Sequence, residues 1–207
     1  MNNLEKLFKE SSKVEDYAKG YLKYLYDLTC QLDVKAIAAL VKELQSAYEH
    51  ENTIFVIGNG GSAATASHMA NDLGLDVLKK AKCKKAFRVL ALTDGNAVMT
   101  AIANDDGYNN LFVNQLRIHY RPGDKLIAIS ASGNSPNVVE AVEWVKSRQG
   151  KTIGLVGFDG GKLNEICDIS ILAKTFKGEY GPVEDVHLIL DHLIATWLQY
   201  KMTGENK

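Results

Sequence analysis

The stretch "GNGGSAATASHMANDLG" at residues 58–74 decides the fold of this chain. It follows "TIFVI" at 53–57, a short apolar and β-branched run that is typical of a fully buried strand. The order is therefore strand, glycine turn and helix. Because a helix N-terminus carries unpaired N–H groups and a partial positive charge, this order predicts an anion site at the turn.

Further apolar runs alternate with helical patterns along the rest of the 207-residue chain. Alternating strands and helices predict a parallel sheet with right-handed crossovers, that is, an α/β three-layer sandwich with a five-stranded parallel sheet. The predicted strands are 53–57, 87–92, 125–129, 152–156 and 168–172, and the predicted helices among and after them are 62–74, 95–104, 135–147, 161–166 and 183–201.

The first 33 residues carry a narrow apolar stripe at helical spacing, and a second helix is predicted at 34–49. An exposed stripe of this length is a liability on a monomer. We therefore expect one domain over 1–207, in which 1–33 form an N-terminal oligomerisation helix and 34–207 form the α/β core. The stripe comprises Phe8, Val14, Tyr21, Leu25 and Leu28.

Composition limits the classes of function. The formal net charge is −1, which lacks the basic surplus of a nucleic-acid-binding surface. No apolar run reaches membrane-spanning length, and the charged N-terminus does not resemble a signal peptide. Three scattered cysteines are typical of reduced thiols. We expect a cytoplasmic protein that binds neither nucleic acid nor membrane.

A second serine-glycine turn, "ISASGNSPNVVEAV" at 129–142, again joins an apolar strand to a helix. Ser130, Ser132 and Ser135 place three hydroxyls on or near this turn, and Pro136 suits a first helical turn. In open α/β sheets ligands bind beyond the carboxyl ends of strands, where strand order reverses. Two such turns predict one phosphate site in a single crevice.

Two other interpretations of these turns stay open at this point. Serine at a helix start is usually an N-cap, and glycine is usually only a turn residue. Gly58, Gly60 and Ala63 also match the dinucleotide fingerprint G-x-G-x-x-A. That motif alone is weak, because the acidic residue expected about 20 positions later is not cleanly present: Asp94 lies further along.

Histidines and carboxylates recur at helical spacing on two predicted helices. His68 and Asp72 are four residues apart and share one face. On the last helix, Glu184 and His192 are two turns apart along roughly one face. Such pairs bind a divalent metal such as zinc, or move protons as acid and base; the alternative is that each is a local ion pair. His187 and Asp191 are interpreted as such a surface pair.

These motifs resemble the sugar-isomerase (SIS) domain family. The resemblance spans about residues 34–200 and is most similar to phosphoheptose isomerases, which convert sedoheptulose 7-phosphate to D-glycero-D-manno-heptose 7-phosphate. It implies a flavodoxin-like strand order and a homotetramer with sites at subunit interfaces. The motifs that carry it are "GNGGSAATASHMANDL", "TAIANDDGYNN", "ISASGNSPNVVEAV", "GFDGGKLNEI" and "VEDVHLILDHLI".

Carried over by position, the resemblance implies a role for each matching residue. Asp72 and His192 would be catalytic, and zinc would be held by His68, Asp72, Glu184 and His192. The sugar phosphate would be bound through two further sets. The phosphate would contact Gly61, Ser62, Ser130, Ser132 and Ser135, and the sugar hydroxyls would contact Asn59, Asp94, Asn104 and Asp105.

Four positions depart from the heptose-isomerase pattern. Asp72 is one methylene shorter than the family's Glu, and Glu184 replaces a neutral Gln with a carboxylate that should strengthen a cation site. Ala131 lacks the hydroxyl of the family's Thr, and Asp76 stands where an Arg is usual. The implied reaction is aldose–ketose isomerisation through a cis-enediol. The alternatives are a non-catalytic SIS-domain regulator and, more weakly, a nicotinamide-dependent oxidoreductase.

Overall fold

The computed structural model describes residues 1–205 and contains one five-stranded, all-parallel sheet. Its strands are β1 (Thr53–Gly58), β2 (Arg88–Ala91), β3 (Lys125–Ser130), β4 (Lys151–Phe158) and β5 (Ile169–Lys174). They lie in the order β2-β1-β3-β4-β5. The predicted strand number, the parallel pairing and the flavodoxin-like order are therefore confirmed.

Ten α-helices surround this sheet in the described residues. The predicted helix at 62–74 is divided: α4 is followed directly by a π-helical turn, Asp72–Asp76, and then by α5. Between the predicted helix at 95–104 and the predicted strand at 125–129, the chain also forms a 3₁₀ turn, Tyr108–Asn110, and a helix that the sequence did not predict, α7. The helices are α1 (Asn3–Glu10), α2 (Val14–Thr29), α3 (Val34–Glu49), α4 (Gly61–Asn71), α5 (Val77–Ala81), α6 (Asn96–Asp105), α7 (Leu111–His119), α8 (Pro136–Lys146), α9 (Gly161–Ile166) and α10 (Tyr180–Glu205).

The sheet is buried on both faces, which explains the continuous apolar runs of its central strands. Successive side chains of a strand point to opposite faces. Ile54 and Val56 of β1 thus join a core with α3, α4, α5 and α10. Phe55 and Ile57 join a second core with α7, α8 and α9 on the other face. The three-layer sandwich is confirmed.

The strand order reverses between β1 and β3, which are direct neighbours. β1 pairs with β2 on one side and with β3 on the other, with Gly58 opposite Ile129 at the carboxyl ends. Both serine-glycine turns follow these two strands, so the topology brings them into one crevice. This is the arrangement that the sequence predicted.

The N-terminal region is two helices, α1 and α2, because the chain is non-helical at 11–13. Much of its apolar stripe packs within the chain: Leu28 is buried, and Leu25 packs against the same core. Phe8 and Val14 stay exposed. Leu28 is therefore not available to a partner subunit, and Leu25 is only partly exposed.

A buried carboxylate, Glu179, ties these N-terminal helices to the start of α10. Its oxygens accept hydrogen bonds from the backbone amides of Asn3 (2.6 Å) and Phe176 (3.2 Å) and from the Tyr24 hydroxyl (2.6 Å). The side chain is fully buried, so its oxygens depend on these donors for hydrogen bonds. Nearby, Tyr21 donates a hydrogen bond to Asp185 of α10 at 2.5 Å.

No helix in the described part of the chain combines the length and apolar character needed to cross a membrane.

Replacing Glu179 with Ala should lower the free energy of unfolding by about 3 kcal/mol, because three partly buried donors, the Asn3 and Phe176 amides and the Tyr24 hydroxyl, lose their acceptor. Urea unfolding followed by circular dichroism measures this. The matched control is Glu10→Ala, which removes an exposed carboxylate of α1 and should change the stability by less than about 0.5 kcal/mol. Equal stabilities of the two variants would contradict the role given to Glu179.

Candidate active site

The first turn of the site joins β1 to α4 through a tight glycine bend. A Cβ on Gly58 would lie 2.8 Å from the backbone of Ser62, and a Cβ on Gly61 would overlap the Glu184 carboxylate. At position 58 only glycine therefore allows α4 to begin directly over the end of β1, whereas a Cβ at position 61 would require the Glu184 carboxylate to move aside. Ser62, the second residue of α4, is buried at this point.

The second turn joins β3 to α8. Ser130 ends β3, Ser135 precedes α8, and Pro136 is the first helical residue. Gly133 has φ +63°, and a Cβ there would overlap the carbonyl oxygen of Gly160. The turn is thus held against the loop after β4 by a contact that needs glycine.

The two turns together enclose a small polar cavity of about 140 Å³, here called the serine cavity. The Ser130 hydroxyl lies 3.1 Å from the Ser135 hydroxyl and 3.5 Å from that of Ser132. In the described structure, neither α4 nor α8 has its N-terminus capped by a side-chain hydrogen bond. Backbone N–H groups and hydroxyls are therefore available to an anion. The cavity is lined by Asn59, Ser62, Ile129, Ser130, Ala131, Ser132, Ser135, Tyr180 and Glu184.

Asn59 is fixed beside this cavity by two polar partners. It exchanges two hydrogen bonds with Asn137 of α8 (2.9 and 3.0 Å) and accepts one from the Tyr108 hydroxyl (3.0 Å). The amide thus bridges β1, α8 and the 3₁₀ turn. Tyr108 was not among the predicted site residues, since its motif "GYNN" gives no local sign that it reaches Asn59.

The predicted sugar-hydroxyl residues are only partly brought together. Asn59 lines the serine cavity, and Asp94 accepts a short hydrogen bond from Ser67 of α4. Asn104 donates to Asp105 at 2.7 Å, and both side chains are exposed at the end of α6, outside the cavity lining. Their contact with a sugar stays a prediction.

Three side chains form a tight cluster, here called the His–Asp cluster: His68 of α4, Asp72 of the turn that follows it, and His192 of α10. The Nε2 atoms of His68 and His192 are 3.0 Å apart. An Asp72 carboxylate oxygen lies 3.5 Å from His68 Nε2 and 3.9 Å from His192 Nε2. The predicted meeting of the two helices is thus found, with the Asp72 side chain largely shielded and both imidazoles open to solvent.

The main chain at Asp72 is unusual, because this residue begins the π-helical turn that follows α4. A π-helical turn is wider than an α-turn and frequently occurs at functional sites. It ends at Asp76, which is paired with Lys80 at 2.9 Å. Among the departures from the heptose-isomerase pattern, Asp76 therefore has a local partner, whereas Ala131 directly lines the serine cavity.

Helices α4 and α10 run side by side in the same direction. Gly61 contacts Glu184 at one end, and His68 contacts His192 at the other. The steps of seven and eight residues correspond to about 10–12 Å along a helix axis. The serine cavity and the His–Asp cluster therefore lie at two ends of one track, about 10–12 Å apart along the helix axis.

Glu184 is the predicted metal ligand that the structure does not bring into the cluster. Its carboxylate lies against Gly61 and lines the serine cavity, two turns away from His192. Burial, with a smaller effect of the neighbouring Asp185 charge, raises the pKa of Glu184. Glu184 and His192 do lie along one face of α10, as predicted. The rise of the helix over eight residues, however, places the two groups about 12 Å apart along its axis.

The interpretation of His187 and Asp191 as a surface ion pair is wrong. Both side chains are fully buried, because their part of α10 packs onto the sheet and α4. His187 Nε2 faces the Val156 carbonyl at 3.4 Å, and burial lowers the pKa of His187 to about 4. Burial, together with the Asp72 charge, raises the pKa of Asp191 to about 7.

Comparison with known proteins gives consistent matches. The model of the SIS domain family matches residues 16–157. Phosphoheptose isomerase 2 of Campylobacter jejuni is 36% identical over 163 residues, which cover 79% of each chain. Phosphoheptose isomerase of Aliarcobacter butzleri is 39% identical over 144 residues, 70% of this chain and 74% of that one. The structure of phosphoheptose isomerase from Neisseria gonorrhoeae has a TM-score of 0.78 at 27% identity, covering 90% of this chain and 98% of that one.

Replacing both Ser62 and Ser132 with Ala should weaken the binding of inorganic phosphate by at least about 100-fold, because each hydroxyl bond to an anion contributes about 1.5–3 kcal/mol. Calorimetric titration measures the affinity, and circular dichroism checks the fold. Ser147→Ala, at the far end of α8, is the matched control and should bind like the parent. Unchanged affinity in a folded double variant would contradict the serine cavity as the phosphate site.

Proposed function

The chain belongs to the sugar-isomerase (SIS) domain family, and on that premise we propose that it is a phosphosugar isomerase that interconverts sedoheptulose 7-phosphate and D-glycero-D-manno-heptose 7-phosphate. The observation that carries the proposal is the alignment of α4 with α10. It places an anion-binding cavity at one end of a track and an acid–base cluster at the other. The matches to phosphoheptose isomerases support the choice of sugar.

The phosphate end provides binding and alignment. The hydroxyls of the serine cavity and the N-termini of α4 and α8 hold the phosphate, far from the reacting carbons. Binding energy gained there positions the carbonyl end of the sugar beside the His–Asp cluster. Asn59, fixed by Asn137 and Tyr108, is placed to contact a sugar hydroxyl between the two ends.

The cluster end provides the proton transfers. Asp72 removes the proton from the carbon next to the carbonyl while the carbonyl oxygen gains a proton, which gives a cis-enediol, and Asp72 then returns its proton to the neighbouring carbon. His192 moves the proton between the two sugar oxygens. Asp72 is the better base because its carboxylate is largely shielded from solvent, with 14% of the side chain exposed, whereas 53% of His192 is exposed.

The His–Asp cluster also fits a divalent metal, for which we propose zinc. Tetrahedral zinc with bonds of about 2.0–2.1 Å places neighbouring ligand atoms about 3.3–3.4 Å apart. The three separations in the cluster, 3.0, 3.5 and 3.9 Å, bracket this value. His68, Asp72 and His192 would hold the ion, which supplies Lewis-acid polarisation of the carbonyl when bound.

The proposed assembly is a homotetramer. An apolar groove of about 820 Å³ runs between α3 and α10 and reaches His192. Leu193, Trp197 and Tyr200 on its α10 side are 47, 57 and 76% exposed, which is a liability on a monomer. A second copy of the chain would cover this groove and border the cluster. The groove is lined by Val34, Ile37, Ala38, Val41, Lys42, Gln45, Ile189, His192, Leu193, Thr196, Trp197 and Tyr200.

The proposed location is the cytoplasm. Cys30, Cys83 and Cys167 are free thiols, a state that a reducing compartment maintains.

Replacing Asp72 with Asn should reduce turnover of sedoheptulose 7-phosphate by at least about 1,000-fold, in line with the loss of a positioned base. The sugar phosphate should still bind, because the serine cavity is unchanged. Asp72→Glu restores the family's residue and should keep or raise the rate. Asp27→Asn, an exposed carboxylate of α2, is the control. A coupled assay for the aldose product measures turnover, and full activity in Asp72→Asn would refute the assigned base.

Light scattering after size exclusion should give about four times the single-chain mass of 22.8 kDa. Trp197→Glu places a charge in the apolar groove and should produce smaller species. Ile118→Glu changes an equally exposed apolar residue of α7, on the opposite layer, and should keep the parent's mass. A parent that elutes at the mass of one chain would rule out the tetramer.

A further inference from the structure

We propose that Asp191, rather than Glu184, is the fourth protein ligand of the divalent metal in this chain. The proposal rests on the metal site proposed above and specifies its ligand set. It assigns to Asp191 a role that neither the ion-pair interpretation nor the family pattern gave this residue.

Distance is the first argument. One ligand atom each from His68, Asp72, Asp191 and His192 can be chosen so that all four lie within 4.8 Å of one another. Among the described residues, this is the group of histidines and acids that meets such a condition, and Glu184 is not a member. Asp191 therefore stands where a small movement of side chains would complete a four-ligand shell.

Burial without a partner is the second, independent argument. The Asp191 side chain is fully buried, and neither carboxylate oxygen has a hydrogen-bond partner in the described structure. Buried polar groups are nearly always paired, and a buried carboxylate without a partner is costly. The neighbouring His187, one turn earlier on α10, does not pair with it, since its Nδ1 atom is also without a partner.

The local surroundings identify the missing partner as a cation. Asp191 is part of α10, which packs against α4 and the π-helical turn, and one of its oxygens lies within 4.8 Å of ligand atoms of all three members of the His–Asp cluster. Asp72 is itself an acid and cannot donate while ionised. A divalent ion would satisfy both carboxylates at once, and its two charges would be balanced by the two negative charges of Asp72 and Asp191.

The position of Glu184 is the third argument. Its carboxylate is engaged at the other end of the track, against Gly61 and inside the serine cavity. To reach the cluster it would have to leave that contact. Asp191 needs no such movement, because it is the residue immediately before His192 and already faces Asp72. Asp72, whose side chain is shorter than the family's Glu, and Asp191 thus belong to one ligand set.

The test compares two isosteric substitutions, Asp191→Asn and Glu184→Gln, on full-length protein freed of metal with a chelator. Zinc affinity is measured by competition with a chromophoric chelator, and the visible absorption of Co²⁺ reports the ligand shell. Asp191→Asn should weaken zinc binding by more than about 100-fold, since even outer-shell partners contribute about 10–100-fold. It should also change the Co²⁺ spectrum. Glu184→Gln should bind zinc within about threefold of the parent, and His68→Ala serves as the variant that loses a ligand.

A purely structural role for Asp191 makes a different prediction. In that case Asp191→Asn would lower the melting temperature of the metal-free protein and leave its zinc affinity unchanged. We expect the metal-free variant to melt at or above the parent's temperature, because the Asp191 carboxyl group has no hydrogen-bond partner that the substitution could remove. Loss of zinc affinity in Glu184→Gln but not in Asp191→Asn would overturn the assignment. A parent that binds no zinc, like His68→Ala, would refute the metal site itself.

Discussion

The parallel packing of α4 against α10 is the constraint on which the site depends. At one end the Glu184 carboxylate lies against Gly61, and at the other the imidazoles of His68 and His192 meet. The sheet fixes where α4 begins, directly after β1, and Glu179 fixes where α10 begins by binding the N-terminal helices. Because the two helices start in register, their later turns also lie side by side. The distance between the serine cavity and the His–Asp cluster is therefore fixed.

Charge is distributed unevenly along this track. The serine cavity offers hydroxyls and helix N-termini, which favour an anion, although Glu184 lines the same cavity. The far end offers two imidazoles and two acids, which favour a cation or a proton. A sugar phosphate has this polarity: a dianion at one end and a carbonyl at the other. The proposed site would therefore recognise a sugar phosphate as much by the order of the charges as by their number.

Local patterns predicted much of this arrangement. The strand, glycine turn and helix at 53–74 are encoded within a few residues, so the β1–α4 turn followed from the sequence alone. The partner turn at 129–142 could be predicted in the same way. Its place beside the first turn also followed, because parallel topology brings the carboxyl ends of neighbouring strands together. The pairing of His68 with Asp72 could also be predicted, since four-residue spacing gives one shared helix face, and the family resemblance implied that His192 joins it.

Other features depend on contacts that no local pattern reveals. The π-helical turn at Asp72 has no sequence signature, and Tyr108 reaches Asn59 only through the fold. The segment "HLILDHLI" of α10 is apolar on several sides, so its spacing did not show that Asp191 faces inward. Glu184 shares a face with His192, but axial rise separates them.

The central claim is that the aligned helices form a working proton-transfer site and not only a sugar-phosphate receptor. The direct measurement is incubation of the zinc-loaded protein with sedoheptulose 7-phosphate in D₂O, followed by mass spectrometry of the recovered sugar. The account predicts that deuterium enters at the carbon next to the carbonyl. Tight binding of the sugar phosphate without any deuterium incorporation would contradict it.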